Sequence, residues 1–210
     1  MALRAVVFDY GMVLSGPPHA EAHKELQRIT GLSHEELERL YWVDRLAYDR
    51  GDLTGLRFWQ KLVSDAGLNL SDEEINQLNF WDARMWTTTN PETLAWHNQL
   101  KENGFKTGIL SNMGDSVLEN IQQHFSWISD FDVLIWSFQH SMIKPDPKIY
   151  HLLLARLGTA PDETVFLDDK LENIEAARRL GIHGLHFSTV AQLRQDLIAS
   201  GLDSWLPLPK

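Results

Sequence analysis

With 210 residues, 43% of them hydrophobic, the chain has enough apolar material for one sizeable core, or for a core with a small appended domain. A formal net charge of −10 and the lack of any Lys/Arg run argue against nucleic acid and an anionic membrane as partners, since both favour a clustered positive face. Zero cysteines exclude disulfides, thiolate metal sites and a Cys nucleophile. With no signal-peptide pattern and no run of about 20 apolar residues, the expected location is cytoplasmic.

Taken in chain order, "LRAVVF" (3–8) reads as a buried strand that stops on a carboxylate, Asp9, and turns through Gly11. Residues 15–88 hold no strand candidate and read as four amphipathic helices. Ser33 with Glu36 and Ser71 with Glu74 match the capping-box spacing. This insert carries Trp42, Trp59, Trp81 and Trp86, expected mainly as core, with one or two lining a pocket that faces the sheet. Asn90, Pro91 and Glu92 then make a good helix start. From there strands at 106–110, 131–136, 164–167 and 184–187 alternate with helices at 91–103, 114–124, 147–157, 171–180 and 189–200. The alternation predicts an α/β fold, a Rossmann-like parallel sheet sandwiched by helices with an inserted all-α cap. The expected domains are a core of 1–14 and 89–210 and a cap of 15–88.

Phe125, Trp127, Trp136 and Phe138 flank the third strand and are expected as core and helix cover. An exposed aromatic patch there or on the cap would support pairing of two copies, so a monomer or a homodimer is expected. His183 and His186, three apart in a strand, point to opposite faces and are poor co-ligands. Pro207 and Pro209 suggest a short frayed end.

In an open parallel sheet, ligands bind outside the carboxyl ends of the strands. Those ends carry Asp9, then Ser111 and Asn112, then Lys144 in "MIKPDPKIY", then Asp168 and Asp169. Carboxylates from two strands suit Mg²⁺, a hard cation that takes oxygen ligands. A hydroxyl, an amide and a lysine can hold the oxygens of a phosphoryl group, and an Asp in line with phosphorus can be its nucleophile.

The segments "VVFDYGMVL", "GILSNM", "IKPDPKIY" and "VFLDDKLENIEAARRLGI" resemble, in order and spacing, the motifs of the haloacid dehalogenase-like (HAD) hydrolases. The helical insert resembles their type 1 cap, and "YDRGDLT" (48–54) a cap motif of the branch whose first motif begins Asp-x-Gly. The resemblance implies a Mg²⁺-dependent phosphatase acting on a small phosphorylated metabolite, a sugar phosphate among the candidates. It implies Asp9 as nucleophile and metal ligand, with Ser111, Asn112 and Lys144 on the phosphoryl group. Further metal ligands would be the Gly11 carbonyl and Asp169, with Asn173 in support and Asp168 orienting the metal's water or Lys144.

Many phosphatases of this family carry a second Asp two residues after the nucleophile, as general acid and base. Gly11 occupies that place here and can do neither. Such help is worth about 10² to 10⁴ in rate, about 3 to 5 kcal/mol of barrier, so its loss slows turnover without abolishing it. Three readings follow: a phosphatase whose leaving group needs little protonation or whose acid comes from elsewhere, with His19 and Asp44 as candidates; a 2-haloacid dehalogenase-type hydrolase; or a binding or regulatory protein that kept the fold.

Overall fold

The computed structural model describes residues 2–210. Strands β1 (Ala5–Phe8), β2 (Lys106–Ser111), β3 (Val133–Trp136), β4 (Thr164–Asp168) and β5 (His183–His186) form one parallel sheet in the order β3-β2-β1-β4-β5. The five expected strands are all present, two of them longer by one residue at the carboxyl end, β2 through Ser111 and β4 through Asp168. Those additions bring both residues onto the strand tips. In the register, Phe8 pairs with Ile109 on one side and Leu167 on the other. Asp9 and Asp168 therefore leave neighbouring strands at the same level.

Both faces of β1 and β4 are buried, which is why their sequences show no polar alternation. One face packs on α6 (Pro91–Glu102), α7 (Asp115–His124) and α10 (Val190–Ala199), through Trp96, Leu100, Ile121 and Leu193. The other packs on α8 (Pro147–Leu157) and α9 (Leu171–Arg179), through Ile149, Leu153 and Ile174. Trp136 lies in the first of these cores, with Phe125, Trp127 and Phe138 packed against it.

Between β1 and α6 the chain forms an all-α cap. It has five helices rather than the expected four: α1 (Ala20–Thr30), α2 (His34–Val43), α3 (Arg45–Arg50), α4 (Gly55–Asp65) and α5 (Asp72–Arg84). The extra one arises at Asp44, whose non-helical backbone (φ −108°, ψ 8°) separates α2 from α3. At six residues α3 is too short to show a period of its own. It ends on Gly51 in the left-handed region (φ 86°), where a Cβ would also stand 2.6 Å from the Phe138 carbonyl oxygen. Both capping boxes form. The cap core gathers Leu26, Tyr41, Tyr48, Phe58, Trp59 and Leu78.

The cap seats on the sheet layer at the start of α7. The Tyr48 ring lies so close to Gly114 that a Cβ there would fall 2.0 Å from it, and the Gly55 amide donates to Asp115 Oδ1 at 2.9 Å. Ser137 Oγ donates to the Asp49 carbonyl, tying α3 to the end of β3.

The carboxyl end is held rather than frayed. Trp96 Nε1 donates to the Pro207 carbonyl at 2.7 Å, Arg194 Nη1 to the Pro209 carbonyl at 2.8 Å, and Leu206 is buried. Prolines lack an N–H but keep a carbonyl acceptor, and it is the acceptors that anchor this segment.

Candidate active site

A cavity of about 280 Å³ opens over the carboxyl ends of β1, β2 and β4, beneath the cap. At its floor, Asp9 follows β1 and accepts from the Tyr10 amide through Oδ1 at 2.7 Å. The chain then turns sharply through Gly11 and Met12 (φ 58°), closed by the Ser15 amide donating to the Tyr10 carbonyl at 2.8 Å. Tyr10 OH donates to the Trp86 carbonyl at 2.7 Å, tying this turn to the end of the cap.

Lys144 is the hub. Its buried Nζ lies 2.9 Å from Asp9 Oδ1, 2.6 Å from Asp168 Oδ2 and 2.9 Å from the Leu110 carbonyl oxygen. The loop that delivers it is fixed by Asn112: the Asn112 side chain accepts from the Lys144 amide at 2.8 Å and donates to the Lys144 carbonyl at 2.9 Å. Asn112 thus acts on the cavity through Lys144. Ser111 is buried in the cavity wall beside Asp9.

Asp168 is saturated. It accepts from Lys144 Nζ, from the Lys170 amide at 2.8 Å and from Asn173 Nδ2 at 3.0 Å on each oxygen. Asp169, by contrast, lines the cavity. One carboxylate oxygen from each of Asp9, Asp168 and Asp169 can be chosen so that all lie within 4.8 Å of one another.

Burial pushes the Asp9 carboxyl up to about 6, with the Asp168 charge adding to the rise and Lys144 opposing it. Asp169 is raised for the same two reasons, burial and Asp168. Burial works against the Lys144 charge, but Asp168 and Asp9 outweigh it and hold the ammonium above its ordinary range. Three carboxylates against Lys144 and Lys170 leave a surplus of negative charge that favours a cation. The side-chain amide oxygen of Asn173, Oδ1, is buried beside them and has no hydrogen-bond partner. An all-oxygen donor set with an orphaned acceptor at its edge fits a hard divalent metal.

Every site residue expected from the strand tips, including Gly11, meets in or beside this cavity. Of the four cap tryptophans, Trp42 and Trp86 line it, while Trp59 is buried in the cap core and Trp81 packs against that core. His19 and Asp44 do not line it: His19 precedes α1, and Asp44 pairs with Lys61 at 3.0 Å. Arg45 and Asp49 of α3 line the cavity without having been singled out. They join at 2.8 Å, and Arg45 also faces Asp82 and Tyr41, a buried ionic cluster behind the cavity wall. Their four-residue spacing was a readable signal for a helix ion pair, though not for its burial.

A gap of position also separates Gly11 from any backbone need. Its φ of −61° and ψ of 131° are open to any residue, and a Cβ would meet only Trp86 Cζ3, at an ordinary 3.6 Å. The glycine is not demanded by the turn.

Residues 3–181 match the family model described as haloacid dehalogenase-like hydrolase. The chain is 27% identical to "Phosphatase MT3486" of Mycobacterium tuberculosis (strain CDC 1551 / Oshkosh), over 94% of this chain and 93% of that protein. It is 34% identical to the sesquiterpene phosphatase astK of Aspergillus oryzae (strain ATCC 42149 / RIB 40), over 91% and 95% respectively. A HAD family enzyme of Bacteroides thetaiotaomicron, solved in complex with magnesium and inorganic phosphate, has a TM-score of 0.75 at 21% identity, covering 89% of this chain and 95% of that one. With the family model spanning most of its length and the sheet, the cap and the strand-tip site in agreement, the chain belongs to the haloacid dehalogenase-like hydrolases.

Proposed function

We propose that this hydrolase is a Mg²⁺-dependent phosphatase that acts on small phosphate monoesters through an aspartyl-phosphate on Asp9. The observation that carries the reading is the Asp9–Lys144–Asp168 chain at the floor of the cavity, with Asp169 beside it. Asp9, Asp169 and the Gly11 carbonyl would hold the metal, which supplies charge neutralisation at the phosphoryl oxygens. The phosphatase relatives and the magnesium and phosphate complex of the Bacteroides enzyme support this choice.

In the first half-reaction the Asp9 carboxylate forms a bond to phosphorus as the ester P–O bond breaks, and the electron pair leaves with the organic oxygen. Lys144 and Ser111 hold the equatorial oxygens as charge spreads over them. In the second, water attacks phosphorus and frees Asp9 and inorganic phosphate. Gly11 offers no proton to the leaving oxygen, so that oxygen takes it from solvent. Residues 1–14 and 89–210 would carry this chemistry, and the cap of 15–88 would select the substrate.

The wall above the phosphate end favours an apolar organic group over a sugar. Met12, Trp42, Trp86, Met113 and Val117 line it, and Met12 and Trp42 stay exposed at the mouth. The sesquiterpene phosphatase relative supports the same direction. A dehalogenase reading is weaker, because Asp169, which lines the cavity, has no work where Asp9 attacks carbon without a metal.

The test is phosphate release from a panel of sugar, alkyl and prenyl monophosphates, with and without Mg²⁺. Mg²⁺-dependent release, fastest on the apolar esters, is the expected result. Halide release without phosphate release would overturn the reading.

A further inference from the structure

A second set of ligand-type side chains lies in the cap, on α1 and the start of α2. His23 Nε2 stands 3.2 Å from His34 Nδ1 and 3.4 Å from Glu38 Oε1, and one ligand atom from each residue can be chosen so that all lie within 4.8 Å of one another. None of the three lines the cavity. His34 and Glu38 are one helical turn apart and face the same way, and His23 reaches across from α1.

We propose that His23, His34 and Glu38 form a binding site for a borderline divalent metal of the Zn²⁺ class, clipping α1 to α2. Zinc bonds to nitrogen and carboxylate oxygen run about 2.0 to 2.2 Å, so the edge of a tetrahedral shell is about 3.3 to 3.6 Å. The 3.4 Å separation falls on that edge and the 3.2 Å one lies just inside it.

Proton accounting points the same way. His23 Nε2 faces a ring nitrogen and a carboxylate oxygen at once, and it carries at most one proton to share between them. With that proton gone and the His34 proton on Nε2, three lone pairs face one another, and a cation would satisfy all three. Two imidazoles with one carboxylate suit Zn²⁺ better than Mg²⁺, which prefers oxygen alone. Three protein ligands leave a fourth position for water, and exposed His34 leaves an entry path.

The other oxygen of Glu38 accepts from Trp42 Nε1 at 2.9 Å. This is the kind of outer contact that orients a ligating carboxylate. Because Trp42 lines the cavity mouth, a metal at this site would also steady one wall of the substrate pocket.

The experiment is a calorimetric titration of Zn²⁺ into the whole protein under saturating Mg²⁺, for the wild type, His34→Ala, Glu38→Gln and Asp169→Asn. His34 is on the surface, so its replacement spares the fold, which a thermal melt verifies. One equivalent should bind, at least about tenfold more weakly in His34→Ala and Glu38→Gln and undiminished in Asp169→Asn. Equal affinity in His34→Ala and wild type, loss in Asp169→Asn, or no uptake by the wild type would each overturn the proposal.

Discussion

A Cβ placed on Gly11 would stand 3.6 Å from Trp86 Cζ3 and touch nothing closer outside its own chain neighbours. The position is thus open to a side chain that the protein does not use. Gly11→Asp should fold normally and restore a proton donor over the leaving oxygen. For esters of high-pKa alcohols the rate should rise by about 10²-fold to 10³-fold, within the range of general acid catalysis. For the wild type, the rate should climb steeply as the leaving-group pKa falls. A flat dependence in the wild type would reveal an acid elsewhere in the cavity.

Lys144 separates two buried carboxylates, Asp9 and Asp168, and serves both. Lys144→Gln leaves them without a cation, and removing one partner of a buried ionic set costs about 3 to 5 kcal/mol. Denaturant unfolding without metal should show a loss of that size, and turnover should fall with it. Unchanged stability would mean the two carboxylates are not both ionised around the lysine.

The close fit of Tyr48 against Gly114 makes the cap's seat sensitive to a single methyl group. In Gly114→Ala the new Cβ would meet the Tyr48 ring at 2.0 Å, so the ring and α3 must move. Overpacking of this kind costs about 1 to 3 kcal/mol. Since α3 carries Arg45 and Asp49 into the cavity wall, KM should rise as well. Wild-type stability and KM in this variant would show that α3 does not depend on that contact.

His97 gives the fold a measurable acid sensitivity. It is buried on the sheet, stacked on Phe131 at 3.8 Å, with Nε2 3.1 Å from Thr107 Oγ1. Burial, with the Lys101 charge adding, lowers its pKa from 6.5 to about 4. Between those values the unfolded chain binds a proton that the folded one does not, so stability falls as pH drops through that window. One proton accounts for at most about 1.4 kcal/mol per pH unit. Unfolding free energies measured from pH 7 to 4 should fall less steeply in His97→Phe than in wild type. Equal slopes would show that His97 titrates normally.

The sheet was legible because β1 and β4 are buried on both faces and announce themselves as apolar runs that lead to Asp9 and Asp168. The chemistry at those tips could be read for the same reason: a parallel sheet brings Asp9, Ser111 and Asp168 together whatever lies between them. The cap resisted reading. Its helix α3 is too short for periodicity, and Arg45 and Asp49 reach the cavity through the tie of α3 to the residues just after β3, with Trp42 carried by the neighbouring α2. The directions of the acid candidates His19 and Asp44 were equally unreadable, because side-chain direction in the cap is set by tertiary contacts such as that of Asp44 with Lys61. Nor could composition reveal that Asn112 spends its side chain on the Lys144 backbone.

The account rests most heavily on Asp9 as nucleophile, and Asp9→Asn tests it directly. The variant keeps the shape of the side chain and, with Lys144 still paired to Asp168, should stay folded by circular dichroism and thermal melting. Phosphate release in Mg²⁺, on whichever monoester the wild type hydrolyses, should then be lost. Release near the wild-type rate from folded Asp9→Asn would contradict the account.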